Sequence, residues 1–320
     1  MGQPLPALEP EGLGTEIEWS PMDKEHSGTD SLLTRRTLLT GLLVSGVVSC
    51  AAPGEESGDR PASSDRALLG HKRRGNGSEP VVVLHEWMGD HTNYDLVQPF
   101  LPEDTYSWVF ADLRGYGLSK SMGGAYTLQE AADDVIRLMD SYGYKRFHVV
   151  GHSMSGMIAQ YIAKIGGSRV KSVVAISPVP ASGFRANAET MKTLMAIIDD
   201  DAAARAAILA RGGSRYGRGW QDRKLIMTRR ASNRDAMIGY LTMFTGSDVS
   251  NEVRGTTTPV TAVCGEYDLP LYREDSIRKL LGPLFPNLEV VVSHEAGHYS
   301  MLETPPLLAG QIEKGIARGV

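Results

Sequence analysis

The stretch Phe147-His148-Val149-Val150-Gly151-His152-Ser153-Met154-Ser155-Gly156 carries the decisive pattern of this chain. Its opening apolar run reads as a buried strand. After the serine, Met154, Met157, Ile158, Tyr161, Ile162 and Ile165 recur at the spacing of an apolar helix face. Where a strand turns sharply into a helix at a serine, the residues two before and two after it need to be small for the turn to close. Gly151 and Ser155 meet that need, and Gly156 lets the helix lie close to the sheet. Ser153 is therefore expected at a sheet edge, over a helix N-terminus that favours developing negative charge.

Outward from this junction the chain alternates short apolar runs with helical patterns. Residues 81–84, 108–111, 147–150, 173–176, 260–264 and 288–292 read as strands. Thr127-Leu128-Gln129-Glu130 reads as a capping box, and Pro305-Pro306 opens a last helix with Leu308, Ile312 and Ile316 on one stripe. Such alternation predicts a mostly parallel, doubly wound sheet covered on both faces. Residues 182–255 break it. Two helices are read there, over 188–210 and 223–244, with Met191, Met195, Met237 and Met243 among their apolar residues. An all-helical insertion between strands is expected to cap the sheet's carboxyl edge, where ligands bind in open α/β sheets.

The serine turn, with its place in this strand and helix order, resembles the nucleophile elbow of the α/β-hydrolase family. The resemblance covers residues 81–318 and implies that fold, with a core of 81–181 and 256–320 and a helical cap of 182–255 after the sixth strand in the family's count. The family's first two strands have only Leu68-Leu69-Gly70-His71-Lys72 to draw on, so the first is expected to be missing. The resemblance also implies a triad in the order Ser, acid, His. Asp268, in Gly265-Glu266-Tyr267-Asp268, follows a strand where the family places its acid. His298, in Ala296-Gly297-His298, follows the last strand, with Glu303 and Pro305 downstream. Glu266, Glu274 and Asp275 are rival acids, and His294 is the rival histidine. The backbone N–H groups of Trp87 and Met154 would form the oxyanion hole. His85 stands where the family has its His-Gly pair and reads as a loop-fixing residue. Glu86 replaces the glycine, and its side chain is expected to turn away from the oxyanion hole and find a donor or a cation, with Arg114 on the neighbouring loop a candidate. Asp112-Leu113-Arg114-Gly115-Tyr116-Gly117-Leu118-Ser119 resembles a family turn of structural role.

The implied activity is hydrolysis of a carboxylic ester, thioester or lactone through an acyl-enzyme. The same triad serves acyltransferases, perhydrolases and carbon–carbon bond hydrolases, and a non-catalytic binding protein could use the same fold. The expected partner is a small acyl substrate. No cofactor and no metal are implied: no phosphate-binding glycine fingerprint follows an early strand, and no Cys/His spacing reads as a zinc site.

The first 80 residues differ from the rest. Thr34-Arg35-Arg36-Thr37-Leu38-Leu39 resembles a twin-arginine export signal, and Val47-Val48-Ser49-Cys50 resembles a lipobox that would make Cys50 a lipidated first residue. The apolar run is about 12 residues, against about 20 for a spanning helix. Residues 1–50 are thus read as a signal with an N-terminal extension, started from Met1 or Met22. Residues 51–80, rich in Ala, Pro, Gly, Ser and charge, read as a disordered tether. The expected location is the outer face of the bacterial cytoplasmic membrane or the cell envelope. The 320 residues carry a net charge of −5. Most of that excess lies in the extension, and no basic footprint for nucleic acid is present.

Overall fold

The computed structural model describes residues 67–320. The export signal, Cys50 and the first part of the tether lie outside the described residues. Seven strands form one sheet in the order β1-β3-β2-β4-β5-β6-β7. They are β1 (His71–Arg74), β2 (Glu79–Leu84), β3 (Tyr106–Ala111), β4 (Phe147–His152), β5 (Val170–Ile176), β6 (Val260–Gly265) and β7 (Leu288–Ser293). All six strands read from the apolar runs are present, each slightly longer than read. They pair in parallel, and β1 runs antiparallel to β3 at the edge, His71 opposite Ala111.

The edge strand corrects the tether. Residues 67–80 are ordered structure: Leu69 is buried, β1 pairs along β3, and β2 already begins at Glu79. The composition misled because an edge strand carries charged side chains outward, and His71-Lys72-Arg73-Arg74 has no apolar run to reveal it.

Successive strand residues point to opposite faces. Val82, Leu84, Val109, Val149 and Val173 face one apolar cluster, shared with α1 (Leu128–Ser141) and α2 (Met154–Gly166). Val81, Val83, Trp108, Phe110, Val150 and Val174 face the other. The last helix, α10 (Pro305–Ala317), covers that face through Leu308, Ile312 and Ile316. Thr127 caps α1 by accepting from the Glu130 N–H, as expected, but the Glu130 carboxylate reaches back to Tyr126 N–H, one residue beyond the capping-box position.

Between β5 and β6 lie α3 (Ala188–Asp199), α4 (Asp201–Arg211), α5 (Arg218–Ala231), α6 (Arg234–Gly246) and α7 (Ser250–Val253). The two helices read there are thus four, with a short fifth. Asp200 ends one helix and caps the next, its carboxylate accepting from Ala202 and Ala203 N–H. Asn233 caps α6 from Ala236 N–H, and its amide also donates to Lys120 O in the core. After these come α8 (Glu274–Leu281), α9 (Ser300–Glu303) and α10 (Pro305–Ala317). No helix among the described residues is long and apolar enough to cross a membrane. Because Asn233 both caps a helix and fastens the insertion to the core, Asn233→Ala should cost about 1–2 kcal/mol, read as a lowered midpoint in urea denaturation.

Candidate active site

Ser153 sits between β4 and α2 at φ 56° and ψ −115°. A non-glycine residue there is strained by about 1–3 kcal/mol. The surrounding residues hold it. Ser153 N–H donates to Ile176 O, and its carbonyl accepts from Gly156 and Val179 N–H. A Cβ on Gly151 would stand 2.1 Å from Ser155 O, and one on Gly156 would stand 2.5 Å from Pro178 Cβ. Ser155 gives its hydroxyl to His85 O at 2.5 Å. That bond ties the elbow helix to the loop after β2.

Asp268 follows β6 and His298 follows β7, and the sheet edge brings them together. His298 Nδ1 lies 2.8 Å from Asp268 Oδ2 and 3.1 Å from Oδ1, both residues buried. Asp268 Oδ1 also accepts from Leu269 N–H. With Nδ1 so committed, Nε2 is the His298 nitrogen free for chemistry. His152, inside the elbow itself, supports this ring: its Nε2 donates to His298 O at 2.8 Å, and the two rings are 4.9 Å apart. Burial, with His298 beside it, holds the His152 imidazole well below its ordinary pKa, so it stays neutral. The Ser153 side chain reaches the hydroxyl of Tyr272, a buried residue whose ring lies 4.7 Å from that of His298. Burial raises the Tyr272 phenol, so it too is neutral. No hydrogen bond among the described residues joins Ser153 Oγ to His298.

Glu303 explains the acid downstream of the histidine. Its carboxylate accepts from Gly297 N–H at 2.7 Å and Tyr299 N–H at 2.8 Å, clamping both flanks of His298. Arg215 and Tyr216 from the insertion hold the same carboxylate. The rivals fall away together: Glu266 and exposed His294 bond to each other at 3.3 Å. Glu274 and Asp275 open α8.

Trp87 and Met154 backbone N–H groups have no hydrogen-bond acceptor among the described residues. Trp87 itself is fixed, its indole donating to Met237 O and its carbonyl accepting from Tyr116. His85 is a loop fixer: Nδ1 bonds Glu86 O, and Nε2 accepts from Leu113 N–H. Arg114 is not the partner of Glu86, a correction. Its guanidinium grips buried Asp134 through two nitrogens, at 2.6 and 3.0 Å. Glu86 pairs instead with Lys224 of α5 at 2.6 Å, and also takes Asn93 and Met88 N–H. Lys224 is fully buried and donates to Met88 O as well. These contacts surround the loop that carries Trp87.

The pocket at Ser153 is about 20 Å³ and is lined by Trp87, Val179, Phe184, Leu194, Arg211, Phe244 and Tyr272, among others. The cap thus reaches the serine, but through Phe184, Leu194, Arg211 and Phe244 rather than the four methionines. Met237 and Met243 are buried in the apolar cluster, and Met191 and Met195 pack against it. A larger hollow of about 360 Å³, lined by Thr92, Leu96, Met227 and Leu302, is open and touches neither Ser153 nor His298. No group of three or more His, Cys, Asp or Glu among the described residues could hold a metal. Burial keeps the Cys264 thiol protonated.

Comparison with known proteins agrees with this architecture. Residues 79–197 match the family model described as the alpha/beta hydrolase fold. The chain is 34% identical over 141 residues to the dihydrolipoyllysine-residue acetyltransferase component of the acetoin cleaving system of Cupriavidus necator, covering 42% of this chain and 37% of that protein. It spans less than half the length of the first curated relatives it matches. A hydrolase from Oleispira antarctica superposes with a TM-score of 0.69 at 17% identity, covering 78% of this chain and 94% of the other. The enol-lactonase of Burkholderia xenovorans gives 0.66 at 20% identity, with 78% and 96% covered. The fold is the α/β-hydrolase fold.

The Glu86–Lys224 pair makes a prediction about acid. Burial opposes the charge on Glu86, but Lys224 and the Met88 N–H outweigh it and hold the carboxyl at about 2, against 4.5 ordinarily. A depressed carboxyl stabilises fully above its unfolded value and loses that contribution as pH falls towards its folded one. The wild-type melting temperature should therefore drop between about pH 4.5 and pH 2. Glu86→Gln should remove that part of the drop, while costing about 3–5 kcal/mol at neutral pH by leaving Lys224 buried and unpaired. Glu86→Gln with Lys224→Met should recover part of the loss.

Proposed function

We propose that this chain of α/β-hydrolase fold is a serine hydrolase of carboxylic esters, thioesters or lactones, working through an acyl-enzyme on Ser153. The observation that supports this most is the buried His298–Asp268 pair beside a strained serine at a strand-to-helix turn. In this reading His298 Nε2 takes the proton of Ser153 Oγ as that oxygen attacks the acyl carbonyl. Asp268 holds the tautomer with Nδ1–H and stabilises the imidazolium. The oxyanion meets the Trp87 and Met154 N–H groups, which is why their lack of an internal acceptor matters. His298 then returns the proton to the leaving alcohol, and water repeats the sequence to release the acid. In the resting site the Ser153 side chain reaches Tyr272, so it must turn from that hydroxyl towards His298 as substrate enters.

Export and anchoring belong to the same proposal. The Arg35-Arg36 pair, short apolar run and Cys50 support secretion through a twin-arginine signal, with lipid on Cys50 holding the enzyme at the outer face of the membrane.

A fluorophosphonate probe should label Ser153 in the folded wild type, and no labelling would sink the triad. Ser153→Ala and His298→Ala should each lower kcat by about a thousandfold or more, and the double variant should lose little further because the two act as one unit. Cys50→Ser should move the enzyme out of the membrane fraction or leave the signal uncleaved. A mature N-terminus elsewhere than Cys50, read by mass spectrometry, would count against the anchor.

A further inference from the structure

Arg211 is the last residue of α4 and lines the pocket that holds Ser153. Two features set it apart from the other cations near the site. Lys224 is spent on Glu86, and Arg215 is spent on Glu303. Arg211 pairs with no carboxylate among the described residues, and the one side-chain bond it makes is from Nη1 to Ala207 O at 3.3 Å. Its backbone is fixed at the same place, since Arg211 O accepts from His298 N–H at 2.8 Å. A guanidinium with most of its N–H donors unused by protein acceptors therefore borders a pocket that is apolar at Val179, Phe184, Leu194 and Phe244, and whose other lining includes Tyr272 and Glu86, a carboxylate already paired with Lys224.

The chemistry of that wall selects a ligand. An acyl group that is apolar throughout would strip water from the guanidinium and give no bond in return, which is unfavourable for an ion. A carboxylate would satisfy the fork with two parallel charge-assisted bonds. The pocket is small, so the carboxylate must lie within a few atoms of the carbonyl that Ser153 attacks.

Resting on the hydrolase reading above, we infer that the substrate is a short ester, thioester or lactone bearing a free carboxylate, and that Arg211 binds that carboxylate. Arg211 is then a specificity residue and takes no part in proton transfer.

The test is calorimetric binding to full-length Ser153→Ala protein, which cannot turn the probe over. The probes are monomethyl glutarate and its neutral counterpart, in which an amide replaces the carboxylate. The acid should bind about tenfold tighter or more than the amide. Adding Arg211→Gln should bring the two affinities together, and Arg211→Lys should keep part of the difference, as a point charge without the fork. The carbonyl that holds His298 is backbone and survives both changes; a wild-type melting temperature confirms that each variant is folded. Equal affinities, a preference unchanged by Arg211→Gln, or binding of neither probe at millimolar concentration would each overturn the assignment. Fluorophosphonate labelling of the wild type keeps the two readings apart. Labelling without acid preference leaves the hydrolase and removes the carboxylate site. Acid preference without labelling does the reverse.

Discussion

Ser153 is held at φ 56° and ψ −115°, a conformation an L-residue keeps only when its surroundings over-determine it. Much of the local sequence answers to that demand. Gly151 and Gly156 are glycine because a Cβ at either would meet backbone or Pro178 at 2.1 to 2.5 Å. The carbonyl of Ile176, at the end of β5, receives the serine's own N–H, so the elbow is secured by the neighbouring strand as well as by its own turn. Strain at the serine and close helix–sheet packing are two aspects of one constraint. The elbow puts the hydroxyl at the sheet edge where the loops after β6 and β7 bring Asp268 and His298.

The cap is not a lid laid over a finished site. It supplies the buried ammonium that neutralises Glu86, the carbonyl of Met237 that fixes the Trp87 indole, and the Arg215 that holds Glu303. Each of these acts on a loop carrying a group of the proposed chemistry: the Trp87 N–H in the first two cases, His298 in the third. Replacing the usual small residue at position 86 with a glutamate makes that loop depend on a cation from a helix 138 residues away in sequence. The pair is isolated from water, so neither half is stable alone. Cap and catalytic loops should therefore rise and fall in stability together.

The fold was legible in the sequence because its strands are continuous β-branched runs and its key junction is short and local. Ser153, Asp268 and His298 each follow such a run, at the places where the resembled family carries its triad. What escaped has a physical reason in every case. β1 is a polar edge strand with no apolar signature, so composition read its residues as tether and only the family resemblance pointed to a strand near Leu68–Lys72. Asp200 interrupts a helical pattern for a single residue, inside the run Asp199-Asp200-Asp201 and with apolar residues at helical spacing on both sides, so the period runs through it. The partner of Glu86 was misassigned to Arg114 because a nearby loop offered a cation, whereas the real contact is made by packing between distant elements. The roles of His152, Tyr272 and Arg211 have the same origin. No spacing encodes them, since each arises where separate loops converge on one imidazole or one pocket.

That convergence gives the pocket its character. Glu86 in its lining is paired with Lys224, and beside it Asp268 bonds His298, where in the proposed mechanism it would stabilise an imidazolium. Arg211 pairs with no carboxylate among the described residues, and it is also the residue whose carbonyl receives the His298 N–H. Recognition and catalysis thus share one piece of backbone. A carboxylate drawn to the guanidinium would fix the end of α4, and with it the carbonyl that anchors His298. Binding energy from the remote end of a substrate would then be spent on orienting the base, which is how groups far from the reacting carbon come to raise kcat as well as affinity.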